Sequence, residues 1–285
     1  MTGKHFRRAA IFLAALFSPG LAWLFFMTLY DLRPLGPLPE FPGTVLEKTG
    51  GDWGSIVVPQ TGCVLRNNVW NKAAAGGEFQ QEIFLGKYKG KQTIGWRWRA
   101  PWQVIARVVS QPELVCGDKP WDEPLRLNPS FPVRAGAKRI TANFDIKLRA
   151  SGTYNMAFSL WAVSSLPASR NVITHEIMIW NAHAGQAPAG SKQGRIDVAG
   201  VPYEVYLEKN HKDASGSTRQ VWTYVAFVAE RPVLKGPLDL SAFVDWLLEQ
   251  KLLSRDHYLT SGEIGNEVCQ GTGIVEVRDF SVGVQ

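Results

Sequence analysis

Short runs of β-branched and aromatic residues, set between turn residues, constrain this chain more than any other feature. They fall at Ser55–Val58, Cys63–Trp70, Gln92–Trp98, Gln103–Val109, Ile140–Leu148, Tyr154–Ala162, Val172–Trp180, Val201–Leu207, Val221–Ala229 and Gly273–Val284. That spacing predicts an all-β sandwich or barrel, because no strand-helix alternation is present to build a parallel sheet. One segment breaks the pattern. From Asp239 to Lys251, the residues Leu240, Phe243, Val244 and Leu247 keep a helical period, with Asp239 or Ser241 placed to cap the first turn. The expected architecture is a large β-sandwich carrying one packed helix.

Composition narrows the function classes. At 45% hydrophobic and 20% charged residues the chain reads as globular rather than disordered. Its net charge of +6 comes from scattered bases, which argues against a nucleic-acid partner. Eleven Trp are available either as core or as platforms for flat ligand faces. Cys63, Cys116 and Cys269 lack the paired short spacings of a zinc site, and Cys63 with Cys116 is the first disulfide to test.

At the N-terminus, Lys4, Arg7 and Arg8 precede an apolar run from Ala9 to about Leu29. Residues 1–30 read as a signal anchor or a cleaved signal peptide, with the basic end cytoplasmic and the domain facing the periplasm or cell exterior. Pro34, Pro37, Pro39 and Pro42 mark residues 31–50 as a stiff spacer. The folded domain is expected over residues 51–285.

Within it, the run Thr174–Asn181 places one acid among large apolar residues. Alternation puts Glu176, Met178 and Trp180 on one strand face and His175, Ile177 and Ile179 on the other. The first face suits a wall for an apolar-faced polar ligand such as a sugar. Alternation also puts Asn68 and Trp70 together, an amide beside a stacking ring, and Trp96 and Trp98 together, either as sugar platforms or as core. Glu267 lies in a strand-like run between Gly265 and Gly271, which let a ligand or another backbone come close. Glycoside hydrolysis needs two carboxyl groups facing each other across a cleft, and Glu176 and Glu267 are candidates. His175 and His183 have no partner at triad or metal spacing. Gly76-Gly77-Glu78-Phe79 copies a cyclic-dinucleotide synthase tetrapeptide without its helical context, and Gly86–Lys91 reads as a hairpin turn rather than a phosphate loop.

The runs Asn67-Asn68-Val69-Trp70, Gln111–Trp121, Glu176–Trp180, Pro188–Ser191, the late helix and Gly265-Asn266-Glu267 occur in the order seen in glycoside hydrolase family 12, which the chain resembles from about Gly51 to its end. The resemblance implies a β-jelly roll of two curved antiparallel sheets with an open concave cleft. It also implies endo-acting, retaining cleavage of β-1,4-glucan of the cellulase type, with xyloglucan or mixed-linkage glucan as alternative substrates. Glu176 resembles the family's nucleophile and Glu267 its acid/base, which requires a carboxyl separation of about 5 to 5.5 Å and a raised pKa at Glu267, supplied by ionised Glu176. Asn68, Trp70 and Met178 match cleft residues, and Trp180 shares their face. No metal or organic cofactor is implied, and the protein is expected to be a monomer whose partners are a β-glucan and, through its N-terminus, a membrane.

One departure stands out. The family usually carries an aspartate seventeen residues before the nucleophile, whereas Tyr154-Asn155-Met156-Ala157-Phe158-Ser159 ends in serine. Ser159 can hydrogen-bond Glu176 but brings no charge. Altered pH dependence or low activity follows, and a glucan-binding descendant without efficient catalysis stays open. Glu263 is the nearest acid to compensate, although four extended residues put it about 13 Å from Glu267.

Overall fold

A computed structural model describes residues 36–213, 215–216 and 219–285. The outer sheet is built from Thr44–Thr49, Gln80–Tyr88, Lys91–Ala100, Val268–Val284, the first part of Ile140–Val163, and Lys235–Asp239. The inner sheet runs Ser55–Val58, Cys63–Arg66, Glu113–Gly117, Ser261–Gly265, the second part of Ile140–Val163, Ile173–Ala184, Val221–Ala229, Val201–Lys212 and Ser191–Val198. Together they form the jelly roll that the sequence predicts. Among the described residues its strand pairs are antiparallel apart from Ile173–Ala184 with Val221–Ala229, which runs parallel.

The strand Ile140–Val163 ties the two sheets together. Its residues 140–154 pair with Val268–Val284 and its residues 155–163 with Ile173–Ala184, so the two separate strands expected at Ile140–Leu148 and Tyr154–Ala162 are one. Side chains pointing between the sheets make the core, where Phe158 packs edge-on against Phe144 at 5.0 Å. Trp96 and Trp98 are fully buried there, which settles them as core and not sugar platforms. Helix α1 (Ser241–Glu249) seats Phe243 against Tyr203 at 4.9 Å and Phe227 at 5.0 Å. Leu240 takes its capping position, while the Asp239 carboxylate accepts from the Ser241 amide.

Several boundaries differ from expectation. Thr44–Thr49 is a strand paired with Gln80–Tyr88, and Phe41 is buried on Phe84, so the domain begins inside the expected 31–50 spacer. Gln103–Val109 is not a strand, and the run from Cys63 is a strand only to Arg66. The strands Gln80–Tyr88, Ser191–Val198 and Lys235–Asp239 lay outside the expected set; the second is exposed on most positions and shows little apolar alternation. Tyr88 and Lys91 close a hairpin over Lys89 and Gly90, both at positive φ. Cys63 and Cys116 are disulfide-bonded register partners, and Cys269 is buried and free. The expected anchor at residues 1–30 lies outside the described residues, among which no helix is long and apolar enough to cross a membrane.

Candidate active site

The inner sheet's other face forms a cleft of about 390 Å³. Alternation along Ile173–Ala184 works as the sequence predicts: Ile177 and Ile179 enter the core, while Met178 and Trp180 pack with Ala157, Tyr224 and Ala226 beneath the cleft. Glu176, Trp180, Asn68, Trp70 and Glu267 all line that cleft. Met178 is fully buried and supports the floor without lining it. Asn68 and Trp70 reach the cleft from a loop rather than a strand. Asn68 adopts φ 44° and donates to Glu113 Oε1 at 2.7 Å.

Glu176 is almost buried, and its Oε2 accepts from the Trp222 indole at 2.9 Å. Trp222 reaches it because the parallel pairing sets Thr223 beside His175 and Tyr224 beside Glu176. Glu267 follows Ser261–Gly265 in the short link to Val268–Val284. Its backbone amide donates to Asn155 Oδ1 at 2.8 Å, the Asn155 amide donates back to Oε2, and Gln186 Nε2 donates to the same oxygen at 2.7 Å. The flanking glycines serve backbone and not ligand. A Cβ at Gly265 would sit 2.6 Å from Pro112 O, and one at Gly271, where φ is +93°, would sit 2.1 Å from Ser151 O.

Both carboxyl groups are pushed above their ordinary range. Burial, then repulsion from Glu267, lifts Glu176 to about 8, with Glu263 adding to the rise and the Trp222 hydrogen bond and the Lys119 charge opposing it. Burial lifts Glu267 to about 7 against the hydrogen bonds from Gln186 and Asn155. The raised value expected at Glu267 is therefore present, but its leading cause is burial and not the charge of Glu176. Carboxyl groups raised in this way hold a proton near neutral pH, as acid chemistry at that pH requires.

Ser159 sits on the cleft-side face of its strand, register partner to Met178 on one side and Glu263 on the other. Its hydroxyl accepts from Gln111 Nε2 at 3.5 Å, in place of the contact with Glu176 that the sequence suggests. Behind it, Lys119 Nζ lies 2.9 Å from both Glu113 Oε1 and Glu263 Oε2, all three side chains being buried. His175 is buried away from the cleft and hydrogen-bonded to Leu252 O, and His183 is exposed beside Trp180. Among the described residues no cluster of metal-ligating side chains occurs.

Sequence reasoning missed Trp222, Asn155, Gln186, Lys119 and Trp161 as site residues. The alternation of Asn155, Ala157, Ser159 and Trp161 was a usable signal for two of them. Trp222 and Gln186 arrive through topology that alternation does not encode.

Comparison with known proteins agrees with this architecture. The profile of glycosyl hydrolase family 12 matches residues 61–285. Endoglucanase S of Pectobacterium parmentieri is 29% identical over 224 residues, 78% of this chain and 81% of that protein. The inactive glycoside hydrolase XLP1 of Phytophthora nicotianae is 29% identical over 150 residues, 52% of this chain and 60% of that one. The native family 12 xyloglucanase from Bacillus licheniformis superposes with a TM-score of 0.73 at 26% identity, covering 84% of this chain and 100% of that structure. With the profile spanning most of its length and the fold shared, the chain belongs to glycosyl hydrolase family 12.

Proposed function

We propose that the protein is a retaining, endo-acting β-1,4-glucanase using Glu176 as nucleophile and Glu267 as acid/base. The observation that carries this reading is the placement of two carboxyl groups with raised proton affinity, Glu176 buried and Glu267 half-buried, in one aromatic-walled cleft. Trp222 holds Oε2 of Glu176, which leaves Oε1 to attack the anomeric carbon and form a glycosyl ester. Glu267, oriented by Asn155 and Gln186, gives its proton to the departing glycosidic oxygen. It then takes a proton from water, and the resulting hydroxide displaces Glu176 and releases the sugar. Catalysis needs a proton on Glu267. Burial raises both carboxyl groups, and the Trp222 hydrogen bond and the Lys119 charge favour the ionised form of Glu176 that attack requires.

The rings of Trp53, Trp70, Trp121 and Trp222 give the cleft stacking surface for a β-linked chain, and buried Trp161 Nε1 and Gln186 Oε1 lack protein partners that sugar hydroxyls would satisfy. The likeness to an endoglucanase and a xyloglucanase supports endo action on a β-glucan substrate. The basic-flanked apolar N-terminus supports export or anchoring outside the cytoplasm, where such a polymer is met. A second reading, a β-glucan-binding protein with weak turnover, draws on the uncharged Ser159 and on the inactive relative.

Assay on carboxymethylcellulose, barley β-glucan and xyloglucan, with Glu176→Gln and Glu267→Gln controls, separates the two readings. Hydrolysis that both substitutions abolish, with the β-anomer as first product by NMR, is the expected result. Binding without cleavage by the unmodified protein supports the second reading and overturns the first.

A further inference from the structure

The buried lysine at the back of the cleft takes no bond-making or proton-transferring step in the chemistry above. Lys119 is 3% exposed and clamped between Glu113 and Glu263, with the rings of Trp121 and Trp161 at 4.9 and 5.8 Å from its nitrogen. Glu263 is the direct register partner of Ser159, and Ser159 of Met178, two residues from Glu176. The array therefore stands on the same sheet face as the nucleophile, one strand beyond the uncharged serine. It is also wired to the cleft, since Glu113 Oε1 accepts from Asn68 as well as from Lys119.

We propose that Lys119, clamped by Glu113 and Glu263, is the positioning residue for Glu176 and supplies the electrostatic support that Ser159 does not. The inference rests on the reading of Glu176 as nucleophile. A lysine this deeply buried keeps its charge only through its partners: burial works against it, and Glu113 and then Glu263 outweigh that and push its pKa up. Burial lifts Glu113 to about 8 while the Lys119 charge opposes that rise, and the charges of the array that bear on Glu176 are those of Lys119 and Glu263. Of the two, the cation has the larger influence on Glu176, lowering its proton affinity, while Glu263 raises it. The other titratable or charged groups facing Glu176 are Glu267 and the Tyr224 phenol, with His211, Asp213 and Arg170 on the cleft wall.

The test isolates Glu176. In full-length protein carrying Glu267→Gln, hydrolysis of 2,4-dinitrophenyl β-cellobioside needs no acid, because the phenolate leaves unaided, and kcat/KM against pH follows the ionisation of Glu176. Adding Lys119→Met is expected to move that limb up by about one pH unit, and adding Glu263→Gln to move it down. A merely structural role would lower the rate in both variants and leave the limb in place. A limb unmoved in both, or moved the same way in both, overturns the proposal. Carbon-13 titration of the Glu176 carboxyl reads the same shifts without turnover. Absence of hydrolysis by the unmodified protein thus counts against the glucanase reading, while the carbon titration still decides the charge coupling.

Discussion

Glu176 is the residue whose place is most legible in the linear chain, because an acid inside an otherwise apolar strand marks a ligand-facing wall, whereas its proposed role as nucleophile comes from the family resemblance. Its support is not legible in the same way. The Trp222 indole comes from a strand 46 residues later, and only the parallel pairing puts it within 2.9 Å of the carboxylate. Replacing Trp222 by Phe keeps the ring and removes the donor. A hydrogen bond to a charged group contributes about 1.5–3 kcal/mol, so kcat/KM should fall roughly 10- to 100-fold on β-glucan with KM little changed. An unchanged rate would place the indole outside the nucleophile's support. Asn155 is the counterpart at Glu267, which it holds through both its side-chain oxygen and nitrogen. Asn155→Ala should lower kcat on glucan far more than on an aryl glycoside that needs no acid, measured side by side.

Among the elements, the helix was readable because Leu240, Phe243, Val244 and Leu247 keep their period and are all buried. Strand identity was readable where one face is core and the other cleft, as in Ile173–Ala184, and misread where sequence resembles a strand but the backbone turns away, as at Asn67–Asn71. There, Asn71 instead donates its amide to Val108 O at 2.7 Å and holds the loop that presents Trp70. The continuity of Ile140–Val163 was hidden by Ser151 and Gly152, which look like a turn but carry the strand from one sheet to the other opposite Gly271. The disulfide joins neighbouring strands near the inner sheet's edge across 53 residues. Its removal by a Cys63→Ser, Cys116→Ser pair should cost about 2–4 kcal/mol in denaturant unfolding, with the cleft chemistry retained. Loss below about 0.5 kcal/mol would show that strand pairing alone holds that edge.

Across the whole molecule, the carboxyl groups Glu113, Glu176 and Glu267 are held well above the ordinary value of 4.5, at about 8, 8 and 7. Between about pH 4.5 and pH 8 these three groups bind more protons in the folded protein than in the unfolded chain, and the stability they contribute falls as pH rises through that window, opposed below about pH 6.5 by His175, which burial lowers to about 4. The melting temperature should drop from pH 5 to pH 8.5. Glu176→Gln should raise it at pH 8.5 and leave it nearly unchanged at pH 5, the sign expected where a site trades stability for chemistry. The jelly roll itself was legible from strand spacing and motif order, whereas the buried array behind the cleft was not, because Glu263 joins Glu113 and Lys119 from a segment 144 residues further on. The central claim, a covalent intermediate on Glu176, is tested most directly by trapping with a 2-deoxy-2-fluoro-β-cellobioside bearing an activated leaving group, followed by peptide mapping of the labelled protein. One cellobiosyl adduct on the peptide containing Glu176, absent in Glu176→Gln, is the predicted result; steady hydrolysis of β-glucan with no adduct, or an adduct on another carboxylate, would contradict it.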